Sequence, residues 1–198
     1  MKNTDNRVRY TKMVLRQALL QILQTKNIDK VTIKDICDKA EVNRGTFYLH
    51  YATPNDLLME IEQQFVDENK EYFFAYREND SEVSSLAGMF TCILQNKDIC
   101  RVIMGKNGSP KFVERLGEMM RENVVDGWCR EFPKYKRADL DYVFDYVFVG
   151  STRLILNWIE DDKGLSTENL ALRLDRLGYY CHLAVAEFCG KPPKRRYS

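Results

Sequence analysis

The stretch Val42-Asn43-Arg44-Gly45-Thr46-Phe47-Tyr48-Leu49-His50-Tyr51 constrains the fold of this chain more than any other. It reads as a short helix with its own start signal. Asn43 is a good N-cap, because its side-chain oxygen accepts a free backbone N–H of the first turn. Val42 and Phe47 have the spacing of a hydrophobic staple. Phe47 and Tyr51 lie one turn apart and face inward, which leaves Arg44, Thr46, Tyr48 and His50 to point outward or sideways. That outward set is rich in hydrogen-bond donors and holds no carboxylate. An arginine forks onto a guanine edge, and tyrosine, threonine and histidine suit phosphates.

A recognition helix needs a partner before it, and Val31 to Ala40 supplies one. Thr32 and Asp35 form a capping-box-like pair, with Asp in the place of the usual Glu. Ile33, Ile36, Cys37 and Ala40 fall at i, i+3, i+4 and i+7, which makes one apolar stripe. Two short capped helices joined by about three residues read as a helix-turn-helix, whose second helix enters the major groove of DNA. The same periodicity also suits a small helical bundle with a solvated polar face.

Thr32 through Leu57, above all Arg44 to Tyr51, resembles the DNA-binding domain of TetR-family transcriptional regulators, and the resemblance extends over about Arg7 to Asn69. It implies a three-helix head on double-stranded DNA. Together with the outward positions, it marks Thr32, Lys34, Asn43, Arg44, Gly45, Thr46, Tyr48 and His50 as the contact set. Two positions depart from the family pattern. The turn before Val42 is often Gly in the family and is Glu41 here; a positive φ at that position would strain it by about 1 kcal/mol. The helix after Tyr51 usually begins with a Lys that the resemblance would assign to a phosphate, and Thr53-Pro54-Asn55 stands there instead.

Charge is distributed in the same sense. The whole chain carries a formal net charge of +1, but up to Asn55 it holds ten Lys and Arg against five Asp and Glu. A basic head on a mildly acidic body suits a protein that touches nucleic acid at one end.

The remaining periodicity is helical throughout. A first helix is expected from about Asn6 to Thr25, with Leu15, Ala18, Leu19, Ile22 and Leu23 as its stripe. After the motif, Thr53 and Asp56 make another capping pair with Pro54 at N1, and a fourth helix runs on toward Tyr76. Further helices are expected near Val83 to Gln95, Asp98 to Met104, Lys111 to Phe132 and Ala138 to Ile159, and from the Ser166 cap to about Cys189. The count is about nine helices and no strand, an all-α chain. Its divisions are a helix-turn-helix domain over residues 7–69 with the motif at 32–51, a helical ligand-binding and dimerisation body over 70–190, and a basic flexible tail over 191–198.

The last two helices are the strongest of the body. Tyr146 to Leu170 resembles, more loosely, the C-terminal domain of a Firmicutes-type TetR-like subgroup. In the wider family these helices form the homodimer interface, which singles out Gly150, Leu154, Trp158, Leu170, Leu174, Leu177 and Cys181; the same stripes also suit plain core. A homodimer implies a pseudo-palindromic operator. The resemblance further implies an effector cavity for a small molecule of unstated identity, with Phe65, Phe73, Phe90, Met104, Phe112, Met119, Trp128, Tyr142 and Tyr146 as candidates. For most of these a well-filled core is the simpler reading.

Enzyme chemistry has little support. There is no G-x-S-x-G. Of the two histidines, His50 belongs to the DNA set, and His182 neighbours Cys181 on a helix, where their side chains diverge by about 100°. Six scattered cysteines contain no C-x-x-C, so no metal site and no cofactor are expected. The N-terminus lacks the apolar core of a signal peptide, and no run approaches the ~18 apolar residues of a membrane span. A cytoplasmic setting without membrane contact follows. The function expected is a homodimeric DNA-binding regulator, a repressor released by a small effector. The alternative is a regulator whose body binds a partner protein instead.

Overall fold

Four helices begin at side-chain caps that the sequence encodes. In the computed structural model, which describes residues 2–71, 92–93, 95–161 and 164–188, Thr32 Oγ1 accepts from the Asp35 N–H at 3.1 Å, and the Asp35 carboxylate accepts from the Thr32 N–H at 2.8 Å. Asn43 caps the recognition helix through its side-chain oxygen, without a return bond. Thr53 and Asp56 exchange a second reciprocal pair, at 3.2 and 2.8 Å. The helices are α1 (Lys2–Leu23), α2 (Ile33–Ala40), α3 (Arg44–Tyr48), α4 (Pro54–Glu68), α5 (Lys97–Ile103), α6 (Pro110–Glu131), α7 (Arg137–Glu160) and α8 (Thr167–Phe188), with a 3-10 turn at Ile28–Lys30. Among the described residues there are eight α-helices and no strand. The helix expected at Val83 to Gln95 falls largely outside them, as do the far end of the fourth helix near Tyr76 and the tail at 191–198. No helix among the described residues is long and apolar enough to cross a membrane.

The chain forms two compact units, Met1–Glu68 with Asp98–Val113, and Asn69–Lys97 with Glu114–Ser198. In the first, the expected stripe of α1 is buried at Leu15, Ala18, Leu19 and Leu23, and it meets Ile36, Phe47, Leu57, Leu58 and Ile61 in one core. Asp98–Val113 joins this unit through polar contacts that no local pattern announces. Asn107 Nδ2 donates to the Leu23 carbonyl at 3.0 Å, and the Asn107 carbonyl accepts from the Ile28 N–H at 3.0 Å. Asn27 Nδ2 donates to the Lys106 carbonyl at 2.9 Å. The connection between α1 and α2 is therefore held by residues some eighty positions further along the chain.

The second unit is built on Val125, Trp128, Leu140, Val143 and Phe144. Gly117 lies so close to α7 that a Cβ there would stand 2.6 Å from the Phe148 ring, which stacks on Phe144. Arg121 covers the Phe144 face at 5.0 Å and pairs with Asp141 and Asp145, so these two carboxylates at i and i+4 serve an ion pair between α6 and α7. Gly164 adopts φ +72° after α7, a left-handed conformation that favours glycine. Ser166 Oγ then accepts from the Asn169 N–H at 3.3 Å and starts α8. Among the described residues the five cysteines are free, and Cys37, Cys92 and Cys100 are buried as small apolar groups.

The cap of α2 has a pH signature. The Asp35 carboxylate accepts from Lys26 Nζ at 2.5 Å and from both the hydroxyl and the N–H of Thr32, which together hold its pKa at about 2. An aspartate in the unfolded chain titrates near ~3.9. The contribution of Asp35 is thus complete above about pH 4 and is lost as the pH falls toward 2. Asp35 is over a third exposed, which screens the ion pair, so the cap hydrogen bonds set the size of the effect. Asp35→Asn is expected to lower stability by about 1 kcal/mol at neutral pH. Urea unfolding at a series of pH values should show the two proteins converging at the acid end.

Candidate nucleic-acid interface

Between α2 and α3 the chain turns through one left-handed residue. Glu41, the C-cap of α2, adopts φ 55° and ψ 39°, and its N–H and that of Val42 both bond the Cys37 carbonyl. This left-handed conformation favours glycine, and an L side chain there costs about 1–2 kcal/mol. The departure from glycine noted in the sequence therefore falls at a position that needs the positive φ. The turn keeps its geometry because the capping box before α2 and the Asn43 cap after it hold both sides.

Asn43 sits in extended backbone, and its Oδ1 accepts from the Thr46 N–H at 2.7 Å and from the Thr46 hydroxyl at 3.0 Å. A Cβ on Gly45 would lie 3.2 Å from that same oxygen, so Gly45 leaves the cap its room. These bonds revise the expected contact set. Thr46 spends its only side-chain proton on the cap, and Thr32 spends its own on Asp35 at 2.8 Å. A phosphate oxygen accepts and does not donate, so the Thr32 and Thr46 hydroxyls as placed serve the caps, whereas Asn43 caps through its oxygen and keeps its Nδ2 donors. The side chains left to reach outward are exposed Lys34 and Arg44, Tyr48 at 60% exposure, and half-buried His50.

Behind this face the recognition helix is anchored by aromatic rings. Phe47 is completely buried, edge-on to Tyr48 at 6.1 Å and tilted against Tyr51 at 5.7 Å. The Tyr51 hydroxyl donates to Glu60 Oε1 at 2.9 Å, and Glu60 Oε2 accepts from Lys12 Nζ at 2.8 Å. One carboxylate thus ties α1, α4 and the end of the recognition helix together. Burial pushes the Tyr51 phenol up, and Glu60 adds to that shift. Burial alone would raise the Glu60 carboxyl too, but the hydrogen bonds from Lys12 and Tyr51 outweigh it and hold it below its ordinary range.

The sequence reading missed two features of this unit. Leu49 is 79% exposed at the tip of the motif. Its position on the helical wheel, one turn after Gly45, was the signal that could have found it. A cleft of about 680 Å³ also opens between α1 and α4, lined in part by Arg9, Tyr10, Met13, Leu57, Ile61 and Gln64. Nothing local in sequence marks it, because it depends on how the two helices cross.

The expected effector set is divided. Phe65, Met104 and Phe112 are buried in the first unit, where the rings of Phe65 and Phe112 meet at 6.5 Å. In the second unit Trp128 is part of the core cluster, while Met119, Tyr142 and Tyr146 stand exposed. Phe73 and Phe90 lie outside the described residues.

The expected dimer set is divided as well. Trp158 is buried, with its Nε1 donating to the Leu165 carbonyl at 2.7 Å and Lys97 over its ring at 4.4 Å. Leu170 and Leu174 are buried within the protomer, and Cys181 packs on the core cluster. Leu154, Leu177 and Gly150 are exposed, and a Cβ on Gly150 would meet nothing within 4 Å. The open face of α7 instead carries Tyr142 (77% exposed), Tyr146 (74%) and Val149 (64%), at i, i+4 and i+7. α7 is apolar on two faces, and periodicity alone did not say which one the protomer fills.

A capped helix-turn-helix with its donors outward, in an all-helical chain of two units, defines the helix-turn-helix class of bacterial regulators. Residues 15–61 match the family described as bacterial regulatory proteins, tetR family, and residues 83–178 match the transcriptional regulator C-terminal region of the same kind. The chain belongs to the TetR family. It is similar, at 39% identity over 64 residues, to the uncharacterized HTH-type transcriptional regulator YxbF of Bacillus subtilis strain 168. That match spans 32% of this chain and only 17% of the relative. The fold is shared with a TetR transcriptional regulator from Streptococcus agalactiae, at a TM-score of 0.65 and 20% identity, over 89% of this chain and 98% of the other. It is also shared with the dihydroxyacetone kinase operon activator DhaS, at 0.53 and 18%, over 86% and 94%.

Proposed function

We propose that this protein is a homodimeric, cytoplasmic DNA-binding transcriptional regulator. The domain over residues 7–69 would engage a pseudo-palindromic operator, and the body over 70–190 would carry dimerisation and effector response. The observation that carries the reading is the outward face of the motif. Lys34, Arg44 and Tyr48 are exposed and His50 half-exposed on a two-helix element in which Thr32, Asp35, Asn43 and Thr46 serve the caps. In the repressor reading, a small effector lowers DNA affinity by its differential affinity for two arrangements of the heads. One structural neighbour is named an activator, so a reporter assay on the selected site must read the sign. A metabolite panel tests the effector, because a ligand at a hundredfold excess over its Kd raises stability by about 2.7 kcal/mol.

Selection of bound sequences from random duplexes tests the core of the proposal, and failure to enrich any sequence would overturn it. On the selected site, Arg44→Ala is expected to cost about 1–3 kcal/mol and to relax preference at one base position per half-site. Tyr48→Phe should weaken all duplexes about equally, since phosphate contacts carry no direct sequence information. Lys34→Ala should lower the salt slope by about one unit. Equal weakening of every single-base operator variant by Arg44→Ala would move Arg44 into the phosphate set.

A further inference from the structure

The recognition helix carries an alkyl side chain at the point farthest from its own core. Leu49 closes α3 with φ −68° and ψ −18°, and its N–H bonds the Gly45 carbonyl at 3.2 Å, so the helical wheel continues through it. At about 100° per residue, Leu49 stands about 180° from the direction shared by Phe47 and Tyr51. Gly45 lies beside it, one turn back. Tyr48 falls on one flank of this pole, and Thr46 and His50 fall on the other; Arg44, the first residue of the helix, enters the groove ahead of it instead. When such a helix lies in the major groove, its flanks face the phosphate walls and its pole faces the base edges.

The pole has no side-chain donor or acceptor: it is a glycine followed by a leucine that is 79% exposed. Singly exposed leucines are ordinary surface features, but this one occupies the place from which bases are read. Among the base-edge groups of the major groove, the 5-methyl of thymine is the one an alkyl side chain matches. We propose that Leu49 is a specificity residue that reads a thymine through its 5-methyl group at one position per half-site. The proposal rests on the DNA-binding reading above, and it names what that surface selects.

The test uses the full chain and a duplex selected by it, with each thymine of a half-site replaced in turn by uracil, which removes only the methyl. One methyl taken from water is worth about a fourfold change in affinity. Wild type is expected to lose about that factor at a single position and nothing comparable elsewhere. Leu49→Ala should bind the thymine and uracil duplexes equally. It should also keep the wild-type unfolding transition, because the side chain packs on little of its own protomer. Placing cytosine and 5-methylcytosine at the same position gives a second readout, in which wild type should prefer the methylated base and the variant should not. A thymine-to-uracil ratio that is unchanged in Leu49→Ala, or a wild type indifferent to every uracil, overturns the methyl contact while leaving DNA binding intact. A wild type that selects no duplex overturns the DNA reading, and this proposal with it.

Discussion

Tyr146→Glu is expected to split the proposed dimer into monomers and to weaken binding to a two-half-site duplex by roughly 10²–10⁴-fold. The motive is the open face of α7, where Tyr142, Tyr146 and Val149 rise at i, i+4 and i+7 beside Gly150, whose bare backbone leaves room for a neighbour. An apolar patch of this kind is the surface on which the proposed dimer would close. Burying a glutamate there without a partner costs more than the lost contacts alone. Because Tyr146 is 74% exposed in the protomer, the substitution should change stability by no more than about 0.5 kcal/mol. Sedimentation velocity reads the assembly, and duplexes with one or two half-sites separate the loss of avidity from a damaged head. A variant that sediments as wild type would show that this stripe is not the interface. Burial distinguishes it from Leu174→Arg, which strikes a side chain only 1% exposed and should unfold the unit instead of dissociating it.

Phe47→Ala should cost about 3–5 kcal/mol, the usual range for emptying a fully buried phenylalanine site. Phe47 is the one residue of α3 that is wholly inside, and Arg44 and Tyr48 hold their positions only while it is seated. DNA affinity should therefore fall together with the stability of the head. Phe47→Leu refills part of the space and should cost clearly less. The two tryptophans provide a control, since Trp128 and Trp158 both belong to the second unit. Circular dichroism should show an early loss of helix in Phe47→Ala while the tryptophan emission transition shifts less. If emission and helix content drop together at the same lowered urea concentration, the units unfold as one and the separate cost assigned to the head is wrong.

Most of the head is legible in the amino-acid sequence, because its determinants are local. Thr32 with Asp35, Asn43 with Thr46, and Thr53 with Asp56 are bonds across three residues, and a cap needs only the right side chain at the right spacing. The inward turn of Phe47 and Tyr51 follows from helical period alone. What the caps consume is less visible: Thr46 and Thr32 look like free hydroxyls in the sequence, and only the structure shows their protons given to Asn43 and Asp35. The place of Glu41 in the turn points to strain, but its φ of 55° is set by the packing of the two helices it joins.

The sequence by itself determined the class of fold, the helix-turn-helix and the residues that start each of its helices, since all of these rest on contacts within one or two turns. The tertiary structure decided everything that depends on which of two similar faces is covered. An alkyl or aromatic stripe on α7 has the same periodicity whether it packs inward or waits for a partner, and so Trp158 went to the core while Tyr146 stayed outside. Asn107 carries no signal for Leu23 or Ile28, because a hydrogen bond across some eighty residues leaves no local trace. Phe65 and Phe112 suit core or cavity equally in the sequence, and only the fold brings their rings together within the first unit. Local bonding is written in spacing, whereas burial is a property of the whole packed chain.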